Sequence, residues 1–248
     1  DMEALWADID MAEMPEAARL QLFDQAARGL RIQMADLIGG LVDALIPNET
    51  SFFRDRAAFA ALRARVLPEL VAARKSSRVR ILCAGCSTGQ EAYSIALMLD
   101  QNLDLAGGTP IEIIATDISD RCLERARQGL YTQFEVQRGL PIRMLMQYFT
   151  QHDEHWRLSE IIRSRVSFKK HNLPQPIGDL GRVDLVLCRN VRGGFHRDRA
   201  YETLNKLCLQ LKDGGFLMLG AGETLGAQGE GFAQAGADGL FKLSASAV

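Results

Sequence analysis

The chain has 248 residues, 47% of them hydrophobic, enough for one full α/β domain with a small appendage. A net charge of −2 excludes strong overall attraction to nucleic acid or an anionic membrane, and no apolar run reaches membrane-spanning length, so no membrane insertion is expected. Five cysteines (Cys83, Cys86, Cys122, Cys188, Cys208) show no framework spacing. The pair Cys83-x-x-Cys86 lacks a second Cys or His pair to complete a zinc site and reads as small apolar filler. His152, His155, His171 and His196 share no ligand spacing, so no metal is expected. No signal peptide is visible, which makes a cytoplasmic location the expectation, and the opening at Asp1 suggests a natural start upstream.

Taken in chain order, residues 15–46 carry helical periodicity through Leu20, Phe23, Leu30, Met34, Leu37 and Leu41. Pro47 ends that pattern, and Gly39–Gly40 is the place where it would break first. Residues 1–30 hold seven acids against two arginines, whereas residues 54–80 hold eight bases against Asp55 and Glu69. Such a basic stretch reads first as a solvated helix face and second as a surface for an acidic partner. A second helix is expected from about Asp55 to Ala73, with Phe59, Leu62, Val66, Leu67 and Leu70 on one side and a kink at Pro68.

Strand and helix patterns then alternate. Strands are expected at 79–84, 111–116, 183–188 and 215–220, with helices at 90–103, 119–128 and 197–211 between them. The strands are continuously apolar, which indicates a parallel sheet covered on both faces and hence an α/β fold. A last strand at 239–243 follows too closely for a crossover helix and is expected to pair antiparallel with 215–220. Between the core strands, PIRMLMQYF at 141–149 reads as helix, followed by short candidate strands at 156–158 and 165–169. These are expected to form a small β insertion.

The stretch RILCAGCSTGQEAYSIAL at 80–97 reads as a buried strand, a glycine turn and the opening of a helix. That order gathers backbone N–H groups around Gly85–Gly89 at the end of a parallel strand, where α/β folds hold a nucleotide-like ligand. Asp117, at the tip of the second strand and 28 residues past Gly89, stands where a ribose diol is gripped. A pyrophosphate favours G-x-G-x-x-G at this turn, but here the run is A-G-C-S-T-G-Q-E. Glu91 in the first helical turn would repel a pyrophosphate and suits a cofactor bearing a cationic amine or sulfonium, which argues against a nicotinamide oxidoreductase. Glu91 also fits a capping box with Thr88, and the two roles can coexist.

Seven motifs appear in order: NETSFFRD at 48–55, the turn at 83–94, ATDISD at 115–120, RARQGLY at 125–131, HNL at 171–173, LCRNV at 187–191 and GGFLMLGAGETL at 214–225. Together they resemble the chemoreceptor glutamate methyltransferase (CheR) family across about residues 45–243. The resemblance implies a Rossmann-like methyltransferase sheet with a short N-terminal helical segment and a small β insertion. It divides the chain into a helical segment with linker helix at 1–74 and a methyltransferase domain at 75–248, the insertion lying near 150–169.

The cofactor so implied is S-adenosylmethionine, with S-adenosylhomocysteine as product. Asn48, Thr50 and Arg54 match a segment reaching back over the cofactor, and Arg54 matches an arginine associated with methyl transfer. Glu91 matches an acid of the pocket and Asp117 the ribose-binding aspartate, beside Gly85 of the turn. Asn172 and Leu173 match residues flanking the adenine, and Arg189 and Asn190 the pair beneath the methionine end. The residues allow Asn48 and Asn190 simpler roles as caps of local structure. The β insertion matches a subdomain that in some members docks a receptor's C-terminal tail.

The implied activity is methylation of glutamate side chains on a protein, a methyl-accepting receptor or related signalling protein. Two departures stand out. After R-N-V the family continues with two apolar residues, tyrosine and phenylalanine, where this chain has Arg192, Gly193, Gly194 and Phe195. Glycine at the tyrosine position is expected to loosen the approach geometry. The family's N-terminal domain is longer and basic, whereas residues 1–46 here are short and acidic. The alternative function is therefore a catalytically weak homologue that binds the cofactor or its demethylated product as a regulatory module.

Overall fold

The computed structural model describes residues 16–45, 49–74, 77–175, 178–191 and 195–244. The chain divides into two compact units, 1–45 and 46–248. In the first, α1 (Glu16–Leu45) is one continuous helix of 30 residues. Gly39–Gly40 does not interrupt it. Each glycine costs about 1 kcal/mol in a helix, less than opening the turn of hydrogen bonds that Ala, Leu and Val on either side sustain. Leu30, Met34 and Leu37 are exposed on one stripe of α1.

The second unit opens with a rod of three segments: α2 (Arg56–Ala61), a widened turn at Leu62–Val66, and α3 (Leu67–Ala73). In the widened turn the Leu67 N–H reaches back five residues to the Leu62 carbonyl. Pro68, in the first turn of α3, has no N–H for an ordinary helical bond, and the expected kink takes this wider form. Phe59, Leu62, Val66, Leu67 and Leu70 are buried in the main core. The linker helix therefore belongs to the sheet-bearing unit, and the boundary expected at 74/75 falls instead at 45/46.

The sheet strands are β1 (Val79–Ala84), β2 (Ile111–Asp117), β6 (Val166–Lys170), β7 (Val183–Cys188), β8 (Leu211–Leu219), β9 (Phe232–Gln234) and β10 (Leu240–Leu243). Their order is β6-β2-β1-β7-β8-β10-β9. The first five are parallel and β10 is antiparallel to β8, as its short connection dictates. Alternate residues of β1 feed the two faces. Ile81 and Cys83 meet α4 (Gln90–Gln101) and the α2–α3 rod, while Leu82 and Ala84 share the core of Leu204 and Leu207 on α9 (Arg197–Leu209). Helix α5 (Asp120–Gln128) follows β2. Cys83 and Cys86 are buried, and desolvation pushes both thiols up, as filler residues require.

A second sheet, β3-β5-β4, forms from β3 (Leu130–Thr132), β4 (Phe149–His152) and β5 (His155–Leu158). Between β3 and β4 lie α6 (Gln133–Gln137) and α7 (Ile142–Tyr148), and α8 (Glu160–Arg163) follows β5. The β insertion exists, but its bounds differ from 150–169. The strand expected at 165–169 is β6, which pairs with β2 from Ile113–Val166 to Asp117–Lys170 and forms an edge of the main sheet. Its half-exposed pattern resembles an insertion hairpin because an edge strand is covered on one side only. Tyr131 and Phe149 pack edge-on around Phe52, and the Tyr131 hydroxyl donates to the Thr88 carbonyl at 2.8 Å. The insertion is thus anchored to the turn after β1. Among the described residues, no helix is long and apolar enough to cross a membrane.

Candidate active site

A cavity of about 380 Å³ opens at the carboxyl ends of β1, β2, β6 and β7, the crevice where open α/β sheets take ligands. Thr50, Arg54, Gly85, Glu91, Asp117, Asn172, Leu173, Arg189 and Asn190 all line it, joined by Glu49, His171, Val191 and Phe195. Asn48 and the run Arg192–Gly194 lie outside the described residues.

The turn after β1 is shaped by its hydrogen bonds. The N–H groups of Gly85 and Cys86 both donate to the Thr116 carbonyl, at 2.8 and 2.9 Å. Gly85 has φ +72°, and a Cβ there would stand 2.5 Å from Val191 Cγ2. A side chain would therefore close the cradle at its base. Asp117 is only 8% exposed. Its Oδ2 accepts the Ser87 N–H at 2.7 Å and its Oδ1 the Ser119 N–H at 3.0 Å. A carboxylate has about four acceptor directions, so both oxygens keep capacity for a diol.

The capping box expected of Thr88 and Glu91 does not form. Gly89, with φ 90°, occupies the position before α4, and the Thr88 hydroxyl donates to Gln90 Oε1 at 2.8 Å. Glu91 turns to the sheet side, where its Oε2 accepts from Arg189 Nη1 at 2.6 Å. Burial pushes the Glu91 carboxyl above its usual range, and the Arg189 guanidinium opposes that rise.

Arg189 is held at both terminal nitrogens. Its side chain is 1% exposed, Nη2 pairs with Asp55, and the guanidinium lies 5.8 Å from the centre of the Phe59 ring. Its Nε is buried without an acceptor among the described residues. Asn190 is exposed in the left-handed region at φ 57° and its backbone N–H donates to Glu223 Oε2 at 3.1 Å. The same Glu223 oxygen takes the Gly220 N–H at 2.7 Å, so one carboxylate ties the ends of β7 and β8. Glu223 lies within the GETL motif, and an acid after a glycine-rich strand end was the signal for it.

Arg54 stands between two non-glycine residues with left-handed backbone, Phe53 (φ 48°) and Asp55 (φ 61°). Such conformations cost on the order of 1–3 kcal/mol each and persist only where surroundings enforce them. Here the Phe53 N–H donates to Ser94 Oγ at 2.9 Å and Asp55 pairs with Arg189. Arg54 donates to the Glu49 carbonyl at 3.1 Å. Among the described residues it forms no ion pair, although its charge also acts on Glu49 and Glu91, and an arginine so placed can take an incoming carboxylate.

The residues fit S-adenosylmethionine. Glu49, Glu91 and Asp117 set three carboxylates against the guanidiniums of Arg54 and Arg189, a balance suited to a cationic ligand. The cradle at Gly85 admits close backbone approach, Asp117 can take the ribose hydroxyls, and Leu173 offers a buried apolar wall.

Comparison with known proteins agrees. Residues 48–240 match the family described as CheR methyltransferase, SAM binding domain. Chemotaxis protein methyltransferase 1 of Pseudomonas aeruginosa is 37% identical over 219 residues, covering 86% of this chain and 79% of that one. Chemotaxis protein methyltransferase Cher2 of Pseudomonas putida is 38% identical over 207 residues, covering 81% of this chain and 72% of that one. With that family model over most of its length and relatives of this identity, the chain belongs to the CheR family of S-adenosylmethionine-dependent chemotaxis methyltransferases.

Proposed function

We propose that the chain methylates glutamate side chains of a methyl-accepting, chemoreceptor-like protein in the cytoplasm, with Arg54 holding the acceptor carboxylate. The observation that carries this reading is Arg54 itself, a guanidinium at the cavity that forms no ion pair among the described residues. When bound, the cofactor supplies an electrophilic methyl group on a sulfonium.

A glutamate carboxylate is already ionised at neutral pH, so the site needs no general base. Its own residues bind, orient and exclude water. Asp117 would hold the ribose diol, Asn172 and Leu173 the adenine, and Glu91 the cationic methionine end. Asn48, Thr50 and Asn190 would close the pocket around it. Arg54 would fix the incoming oxygen by a charge-assisted pair, and such placement can lower a barrier by several kcal/mol.

Titration calorimetry with S-adenosylmethionine should show one site, and undetectable binding would remove the cofactor reading. With labelled cofactor and a soluble chemoreceptor cytoplasmic fragment, base-labile label on glutamate is the expected result. Gly194 in place of the family's tyrosine favours a second reading, a cofactor-binding module with weak activity. Tight binding without label, and no gain from Gly194→Tyr, would select that one.

A further inference from the structure

We infer that Asp55 is a positioning residue for methyl transfer: its carboxylate, gripped by the buried Arg189 guanidinium, fixes the left-handed turn that presents Arg54 to the cavity. This rests on the proposed role of Arg54. Three observations converge on it. Asp55 precedes α2, yet its side chain makes no capping hydrogen bond to that helix. It reaches instead across 134 residues of sequence to Arg189. Both neighbours of Arg54 hold positive φ, and the pins that enforce it are the Ser94 hydroxyl on Phe53 and Arg189 on Asp55.

The same guanidinium binds Glu91 through its other nitrogen. Arg189 therefore joins the wall facing the cofactor to the turn facing the acceptor. An Arg54 released from this turn would sweep a larger volume, and misplacement by about 1 Å can cost about a hundredfold in rate.

The test compares Asp55→Asn and Asp55→Glu in the full chain. Asparagine tolerates left-handed backbone and is among the best helix caps, so it would replace aspartate fully if Asp55 served only local structure. Glutamate keeps the charge on Arg189. The expected result is a fall in kcat of about ten- to a hundredfold in Asp55→Asn, with S-adenosylmethionine affinity held within about threefold and most of the loss recovered in Asp55→Glu. Amide hydrogen exchange over 49–56, which needs no acceptor, should quicken about tenfold in Asp55→Asn and stay near wild type in Asp55→Glu.

In an Arg54→Ala background, Asp55→Asn should remove nothing further, and additive losses overturn the inference. So does Asp55→Asn with wild-type kcat and exchange. Should Asp55→Asn fail to fold, Asp55→Glu decides: quickened exchange over 49–56 there overturns it too. Arg54→Ala with full transfer activity, by contrast, sinks the role proposed for Arg54.

Discussion

Glu91 shows how one residue's surroundings set its chemistry. A carboxylate buried beside a buried guanidinium is held ionised by its partner against the cost of desolvation, and the two effects oppose each other. Burial is the larger, so its folded pKa lies above the unfolded value. As pH falls, the folded protein therefore takes up this proton before an ordinary glutamate would. Glu91 thus favours the fold more in acid than at neutral pH, opposite to Glu112, whose carboxyl Arg80 and Arg78 hold low. Affinity for the cationic cofactor should accordingly weaken on acidification at a pH above the usual glutamate range. Glu91→Gln should bind S-adenosylmethionine at least about tenfold more weakly at neutral pH, a loss of about 1.4 kcal/mol, with a flatter pH profile. Calorimetry across pH checks both, and a wild-type profile as flat as the variant's would exclude Glu91 as the titrating group.

Glu91 and Asp117 were legible because each sits at a fixed offset from the turn after β1. Asp55 and Glu223 fall within the motifs NETSFFRD and GGFLMLGAGETL, but their roles were not legible, because the partners that define them are supplied by the fold. Arg189 is 134 residues from Asp55, and the Asn190 N–H is 33 residues from Glu223. In sequence, Asp55 reads only as the end of the NETSFFRD motif and the start of a basic stretch.

At the scale of elements, the strands that announced themselves were those buried on both faces. VRILCA and VDLVLC are almost wholly buried, so their positions are mostly apolar, and the buried Asp184 is held by Arg74 and Lys212. β4 exposes three of its four residues and β6 lies at an edge, so neither carries that pattern. β6 pairs with the sequence-distant β2, and β4 pairs with β5 in a hairpin whose faces are mostly exposed, so neither leaves an apolar periodicity to read. The same contrast between local and non-local constraint governs two glycines. Gly139 has φ +91°, and a Cβ there would lie 2.0 Å from the Phe52 carbonyl oxygen, so backbone must move. Gly139→Ala should destabilise by at least about 2 kcal/mol, combining backbone strain with overpacking, or about 4–8 °C in Tm. Because Phe52 leads directly into the Arg54 turn, transfer activity should fall as well. Gly39 sits mid-helix with nothing within 4 Å of its missing Cβ. Gly39→Ala should instead stabilise α1 by about 1 kcal/mol, seen as slower amide exchange over 35–45. A Tm for Gly139→Ala matching wild type would show that the approach of Phe52 imposes no constraint.

Over the whole molecule, the strand order brings five distant segments to one crevice, and the sheet edges are blunted. β6 ends in Lys169 and Lys170, and β9 is only three residues long, devices that discourage edge pairing. Binding at that crevice should therefore stabilise the sheet-bearing unit as a body. At a hundredfold excess over Kd, S-adenosylmethionine should add about 2.7 kcal/mol, or about 5–11 °C in Tm. Asp117 tests whether the carboxyl end of β2 is where this linkage arises. Asp117→Ala would leave the buried N–H groups of Ser87 and Ser119 without their acceptor, costing about 1–3 kcal/mol each, so the protein without cofactor would melt earlier for reasons unrelated to binding. Asp117→Asn keeps the shape and one acceptor oxygen but turns an amide donor toward the other N–H. Its unliganded Tm should drop by a few degrees, and the rise on adding cofactor should shrink much further, because the diol loses its charged acceptor. The ratio of the two shifts is the discriminating quantity. A variant whose unliganded Tm falls while its cofactor-induced rise stays intact would place the ribose elsewhere and leave Asp117 a structural clasp between the turns after β1 and β2.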